Sequence, residues 1–155
     1  MKAFLDTSVL VATFYGDHEN HEPSIDLFLR YKKNETCCAM HSLAEVYSSL
    51  TGMPGKDRAS ADEAMLFLDS VRARLSIIEM TVEEYLKALE ASAALGVTGG
   101  GIYDALLGHC ALKARAEVIY TWNVKHFKRL GPEIAGRVSA PGEGCGLHGR
   151  PGDAA

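Results

Sequence analysis

No apolar run in this 155-residue chain approaches the roughly 20 residues that a membrane-spanning helix needs. The opening Met1, Lys2, Ala3, Phe4, Leu5 is cut short by Asp6, so it lacks the apolar region of a secretory signal, and the expected compartment is the cytoplasm. Cysteine is scarce. Cys37, Cys38, Cys110 and Cys145 have neither the paired spacing of a zinc site nor the pattern of a disulfide framework. The first three lie in apolar segments and read as small core residues. Basic charge is also short: 16 Lys and Arg against 20 Asp and Glu give a net charge of −4. That excludes a generic basic nucleic-acid binder, but local basic clusters or bound cations still permit a polyanionic substrate.

What is present suits one domain with one core, since 47% of the residues are apolar and no repeat or linker divides the chain. Strand and helix patterns alternate. Lys2 to Leu5 reads as a buried strand ending on Asp6, with Thr7 or Ser8 capping a short helix; Asp6 as the cap is the alternative. The loop from Gly16 to Pro23 holds His18 and His21, which a proline-started helix explains without a metal. Ser24 to Lys33 is amphipathic. Thr36 to Met40 forms a second strand running into a helix capped by His41 or Ser42 and carrying Glu45.

Gly52 to Arg58 is a turn-rich loop with Lys56 and Arg58. Ser60 with Glu63, and Thr81 with Glu84, form capping boxes that open two packing helices, the second ended by Gly96. Leu75 to Ile78 and Glu117 to Thr121 give the third and fourth strands, Trp122 to Phe127 a short helix, and Arg137 to Ala140 a last edge strand. Five glycines between Pro141 and Ala155 predict a flexible tail over 142–155. Alternating strands and helices indicate an α/β fold with a central, mostly parallel sheet of four to five strands covered on both faces.

Asp104 follows Gly99 to Gly101 and lies among Ile102, Ala105, Leu106 and Cys110. A carboxylate in such surroundings loses hydration and needs a compensating partner. Asp6 and Glu45 are acids in similarly apolar contexts near strand ends, and Asn123 holds the equivalent place after the fourth strand. Parallel α/β topology gathers strand carboxyl ends along one edge, so these residues can converge. Converging carboxylates repel one another; they protonate or bind a hard cation such as Mg²⁺ or Mn²⁺. Such an ion serves phosphate chemistry.

Four segments in order, F-L-D-T-S-V-L-V from Phe4 to Val11, L-A-E-V-Y from Leu43 to Tyr47, G-G-G-I-Y-D-A-L from Gly99 to Leu106 and Y-T-W-N-V-K-H-F from Tyr120 to Phe127, resemble a PIN domain. They are most similar to the VapC-type ribonuclease toxins of bacterial toxin-antitoxin pairs. The resemblance covers residues 1–141 and implies a three-layer PIN-like sandwich. It also implies an endoribonuclease whose Mg²⁺ or Mn²⁺ is held by Asp6, Glu45 and Asp104, with Asn123 in a place often held by a fourth acid. Thr7 and Thr121 would support these ligands by hydrogen bonds. Lys56, Arg58, Lys125 and His126 are the candidate RNA contacts. A homodimer and a VapB-like antitoxin are the expected protein partners.

Two other readings compete. A phosphatase of the haloacid dehalogenase kind needs a second Asp two residues after the first, and Ser8 stands there. A non-catalytic or degenerate PIN-like binding module of RNA or protein has only the acid-to-amide change at Asn123 in its favour.

Overall fold

Alternation along the first strand divides the interior into two cores. The computed structural model describes residues 1–143. In β1 (Ala3–Leu5), Ala3 and Leu5 join one buried cluster and Phe4 the other, as a side-chain period of two requires. In β2 (Thr36–Ala39), Cys38 joins the first cluster, and Cys37 and Ala39 join the second. Together with β3 (Ser76–Ile78), β4 (Val118–Tyr120) and β5 (Val138–Ser139), these strands form one sheet in the order β3-β2-β1-β4-β5. Every pairing is parallel. Both faces must therefore be covered, which explains the near-continuous apolar character of the central strands.

Four helices cover the face of Ala3 and Leu5: α1 (Thr7–Phe14), α2 (His21–Arg30), α3 (Met40–Gly52) and α4 (Ala61–Arg74). They contribute Leu10, Leu27, Leu50 and Val71, among others, to that core. α6 (Gly101–Lys113), α7 (Val124–Phe127) and α8 (Pro132–Ala135) cover the Phe4 face with Leu107, Phe127 and Ile134. α5 (Val82–Ala94) packs on α6. Each such fully buried large side chain stabilises the fold by about 1.5–3 kcal/mol relative to exposure. At Gly108 a Cβ would stand 2.7 Å from Ile134 Cδ1, so a side chain there would oblige Ile134 of α8 to shift.

The order of strands locates the functional edge. From β1 the chain steps outward to β2 and β3 with helices on one face. It then returns past β1 to β4 and β5 with helices on the other. The reversal falls between β1 and β4, where Asp6 N–H donates to Tyr120 O at 3.0 Å. Ligands of open α/β sheets bind in the crevice at that switch point, outside the strand carboxyl ends.

Several local expectations are corrected. Asp6, not Thr7 or Ser8, caps α1: its carboxylate accepts Ser8 N–H at 3.3 Å, and Thr7 is the first helical residue. α2 starts at His21 rather than Ser24, with Pro23 in the first turn where its missing N–H costs nothing. Neither His41 nor Ser42 caps α3. β2 runs into that helix without an intervening loop, so Ala39 is the cap residue with no side-chain hydrogen bond, and Ser42 is already buried inside the helix.

Both predicted capping boxes close. Glu63 N–H donates to Ser60 Oγ at 3.1 Å and Ser60 N–H to Glu63 Oε2 at 2.7 Å. The Thr81 and Glu84 pair does the same at 3.2 and 2.8 Å. At the end of the described chain Glu143 N–H bonds Ala140 O at 3.1 Å, so an ordered turn reaches past 141. The rest of the expected tail, 144–155 with Cys145, lies outside the described residues. Among the described residues no helix is long and apolar enough to cross a membrane.

Candidate active site

Asp6 follows β1 directly at the switch point and is 1% exposed. Three hydrogen bonds converge on one of its oxygens: Ser8 N–H at 3.3 Å, Ser8 Oγ at 2.7 Å and Thr121 Oγ1 at 2.8 Å all reach Oδ2. Among the described residues none of these hydrogen bonds falls on Oδ1, which leaves that oxygen as an acceptor for a ligand of the cleft that Asp6 lines. Burial pushes the Asp6 carboxyl above the usual carboxylate range; the Ser8 and Thr121 donors pull it back, and the charge of Asp104 pushes it up again.

Glu45 enters from α3, where Thr7 Oγ1 donates to its Oε1 at 3.1 Å and His41 Nε2 stands 3.9 Å from the same oxygen. Asp104 enters from the first turns of α6, a helix that begins at the same sheet edge, with His126 Nδ1 3.5 Å from its Oδ2. Both carboxyls are also held above their usual range, first by desolvation. The neighbouring histidine opposes that shift in each case, and the Asp6 and Asp104 charges add to it at Glu45.

These acids share one cleft of about 470 Å³ with Thr7, Ser8 and Asn123. Asn123 caps α7 without using its side chain for the cap, and its N–H donates to Thr121 Oγ1 at 2.9 Å. The expected metal ligands Asp6, Glu45 and Asp104, and Asn123 in the place of a fourth acid, thus line one cleft, and Thr7 and Thr121 each donate to one of the acids. Lys125 and His126 follow on α7, with His126 against Asp104. Lys56 and Arg58 are not brought to the cleft. They sit in the loop past the far end of α3, where Arg58 Nε donates to Met53 O at 2.9 Å and Tyr15 Oη ties Asp57 O at 2.9 Å.

The sequence reading missed Ser8, Glu19 and Trp122 as cleft residues. Ser8 Oγ accepts Trp122 N–H at 3.0 Å while donating to Asp6, and Trp122 Nε1 reaches Ser24 Oγ at 2.9 Å. The signal for Ser8 was its place two residues after an Asp that follows a strand, the position from which a hydroxyl and an N–H fold back on a capping acid.

The donor set suits a hard divalent cation: anionic oxygens whose mutual repulsion a positive charge relieves, and a neutral amide oxygen beside them. Among the described residues no group of three or more His, Cys, Asp and Glu side chains is arranged to hold a metal ion by itself. Mg²⁺ characteristically keeps several waters and takes one or two carboxylates rather than an all-protein shell, so an open acidic cleft remains compatible with it.

Comparison with known proteins agrees with the fold. The family model described as the PIN domain matches residues 3–131. Among curated relatives, Ribonuclease VapC27 of Mycobacterium tuberculosis is 33% identical over 115 residues, covering 74% of this chain and 80% of that protein. Ribonuclease VapC40 of Mycobacterium tuberculosis is 32% identical over 131 residues, covering 83% of this chain and 94% of that protein.

Two solved structures share the fold. VapBC2 from Rickettsia felis, bound to a DNA fragment from their promoter, gives a TM-score of 0.59 at 20% identity over 84% of this chain and 93% of that one. The Mycobacterium tuberculosis sarcin-ricin loop cleaving toxin VapC20 gives 0.64 at 16% identity over 81% and 92%. With its five parallel strands, its acids at the switch point and its 32–33% identity to two VapC proteins over most of their lengths, this chain belongs to the PIN domain family and is of the VapC type.

Proposed function

We propose that this protein is an endoribonuclease of the VapC type that depends on Mg²⁺ or Mn²⁺ held by Asp6, Glu45 and Asp104. The observation that carries the reading is that these three carboxylates line one cleft at the sheet's switch point. Its relatives at 32–33% identity are named ribonucleases. When bound, the divalent ion polarises a phosphate oxygen and lowers the pKa of a water.

The chain's own residues do the rest. Ser8 and Thr121 fix the Asp6 carboxylate in one orientation and keep Oδ1 available. Thr7 holds Glu45 where it orients the attacking water. That water would lose a proton as its oxygen bonds to phosphorus, and the departing 3′-oxygen would take one up from solvent as its bond to phosphorus breaks, leaving a 5′-phosphate and a 3′-hydroxyl. Asn123 offers a neutral oxygen where a fourth acid would add charge, which weakens the case for a second tightly held ion. Lys125 and His126 at the rim meet the phosphate backbone.

A VapB-like antitoxin and a second copy of the chain are the proposed protein partners, the first supported by the Rickettsia felis complex. The proposed domain spans 1–141, and the cytoplasm is its proposed compartment. The test is cleavage of single-stranded and loop RNA by purified protein with Mg²⁺ or Mn²⁺, beside Asp6→Asn. Cleavage by the wild type alone is expected. Equal cleavage by both proteins would expose a contaminant, and no cleavage by the wild type would favour a binding module.

A further inference from the structure

A second cavity, also about 470 Å³, adjoins the acidic cleft at Asp104, which lines both. Its lining is mixed: it includes the apolar Leu95, Val97 and Leu130 and the guanidinium-bearing Arg129. Leu95 is 53% exposed, an apolar surface left to water at the mouth of a cavity. Arg129 has no carboxylate within ion-pair distance among the described residues. It ends the run Lys125, His126, Lys128, Arg129, a local basic concentration in a chain whose net charge is −4.

We propose that this cavity is a nucleotide subsite: it takes the ribonucleotide next to the scissile phosphate, with the base against Leu95 and Val97 and the phosphate on Arg129. The assignment rests on the ribonuclease reading of the adjoining cleft. A nucleotide matches the cavity because it joins a flat ring with an apolar face to an anionic group, the first covering apolar surface and the second meeting Arg129, and single-stranded RNA can splay its bases out to be bound. The volume lies within the roughly 300–1,000 Å³ of small-ligand sites. A strand whose phosphate lies at Asp104 has its neighbouring nucleotide at the shared wall of the two spaces. Arg129 and Leu95 then help to set affinity and the base preferred beside the cut, and they take no part in the chemistry.

The test uses Arg129→Ala and Leu95→Ser, both at exposed positions, with melting curves to show that each folds. Cleavage kinetics are measured in the wild-type background. Binding of a labelled single-stranded oligoribonucleotide is measured in an Asp6→Asn background, so that affinity is read without turnover. Arg129→Ala is expected to raise KM about tenfold with kcat within about threefold, and to reduce the salt slope of binding by about 0.7. Leu95→Ser is expected to weaken binding about fivefold, the loss of the apolar surface the base would cover. Removing one base from the RNA at a single position should cost the same, and Leu95→Ser should add nothing on that abasic strand.

Binding and KM within twofold of the parent for both variants would overturn the subsite while leaving the ribonuclease reading intact. Loss in Arg129→Ala alone, with no base dependence, would also overturn it, since that is a bare charge contact. Failure of the ribonuclease reading is seen separately, as no cleavage by the wild type. Absence of RNA binding in the Asp6→Asn background would overturn the subsite directly.

Discussion

Replacing Thr121 by Val keeps the branched shape of a fully buried side chain and removes one hydroxyl. That hydroxyl donates to Asp6 Oδ2 at 2.8 Å and accepts Asn123 N–H at 2.9 Å. A hydrogen bond to a charged group contributes about 1.5–3 kcal/mol, and a backbone N–H deprived of its acceptor costs about 1 kcal/mol or more. The expected loss is therefore about 3 kcal/mol. At this chain length each kcal/mol moves Tm by about 2–4 °C, so Thr121→Val should melt about 6–12 °C lower by calorimetry, while Thr121→Ser, which retains the hydroxyl, should stay close to the wild type.

Function should respond in a specific direction. The lost donor stabilised the ionised form of Asp6, so its removal raises that carboxyl further. The acid limb of the kcat/KM profile then moves to higher pH. A Thr121→Val protein melting within about 2 °C of the wild type, with the acid limb unmoved, would refute this account of how the site is held.

Further outcomes follow from the same charges. Asp6 is raised in the folded state, so above that raised value its ionised form opposes folding. The penalty fades as pH falls through the interval down to its usual value near 3.8. Metal-free Asp6→Asn should accordingly melt higher than the wild type at pH 7, and the difference should shrink toward pH 4 in melting curves taken in chelator. Asn123→Asp adds a fourth carboxylate to the cleft; it should lower the Mg²⁺ concentration for half-maximal stabilisation and lower Tm in chelator. Burial pushes the Cys37 thiol up to about 12 and Cys110 to about 11. Peptide mapping after alkylation at pH 8 should find both unmodified until denaturant is added.

What the sequence made legible was local. The short apolar run of Ala3–Leu5 ending on an acid, two capping boxes and a glycine at the end of α5 each specify an element through residues only a few positions apart. The acids were legible through their apolar surroundings. Cap assignments failed at α1 because Asp6, Thr7 and Ser8 all qualify, and the choice depends on which residue keeps an extended backbone after β1; Asp6 does, with φ −69° and ψ 157°.

Of the two residues that donate to Asp6, Ser8 is local, but Thr121 comes from 115 positions away in sequence; only the sheet order makes it a neighbour. Lys56 and Arg58 looked close to Glu45 along the chain, yet they lie beyond the last turn of α3, about 10 Å along the axis at 1.5 Å per residue. α8 was missed although Gly131 followed by Pro132 marks its start.

The most direct test of the whole account is Mn²⁺ binding followed by electron paramagnetic resonance at pH 7, in the wild type and in Asp6→Asn, Glu45→Gln and Asp104→Asn. The account predicts that the wild type binds the ion and that each single neutralisation weakens it, most strongly at Asp6 and Asp104. Wild-type affinity in Asp6→Asn and Asp104→Asn, or no binding by the wild type at millimolar ion, would contradict it.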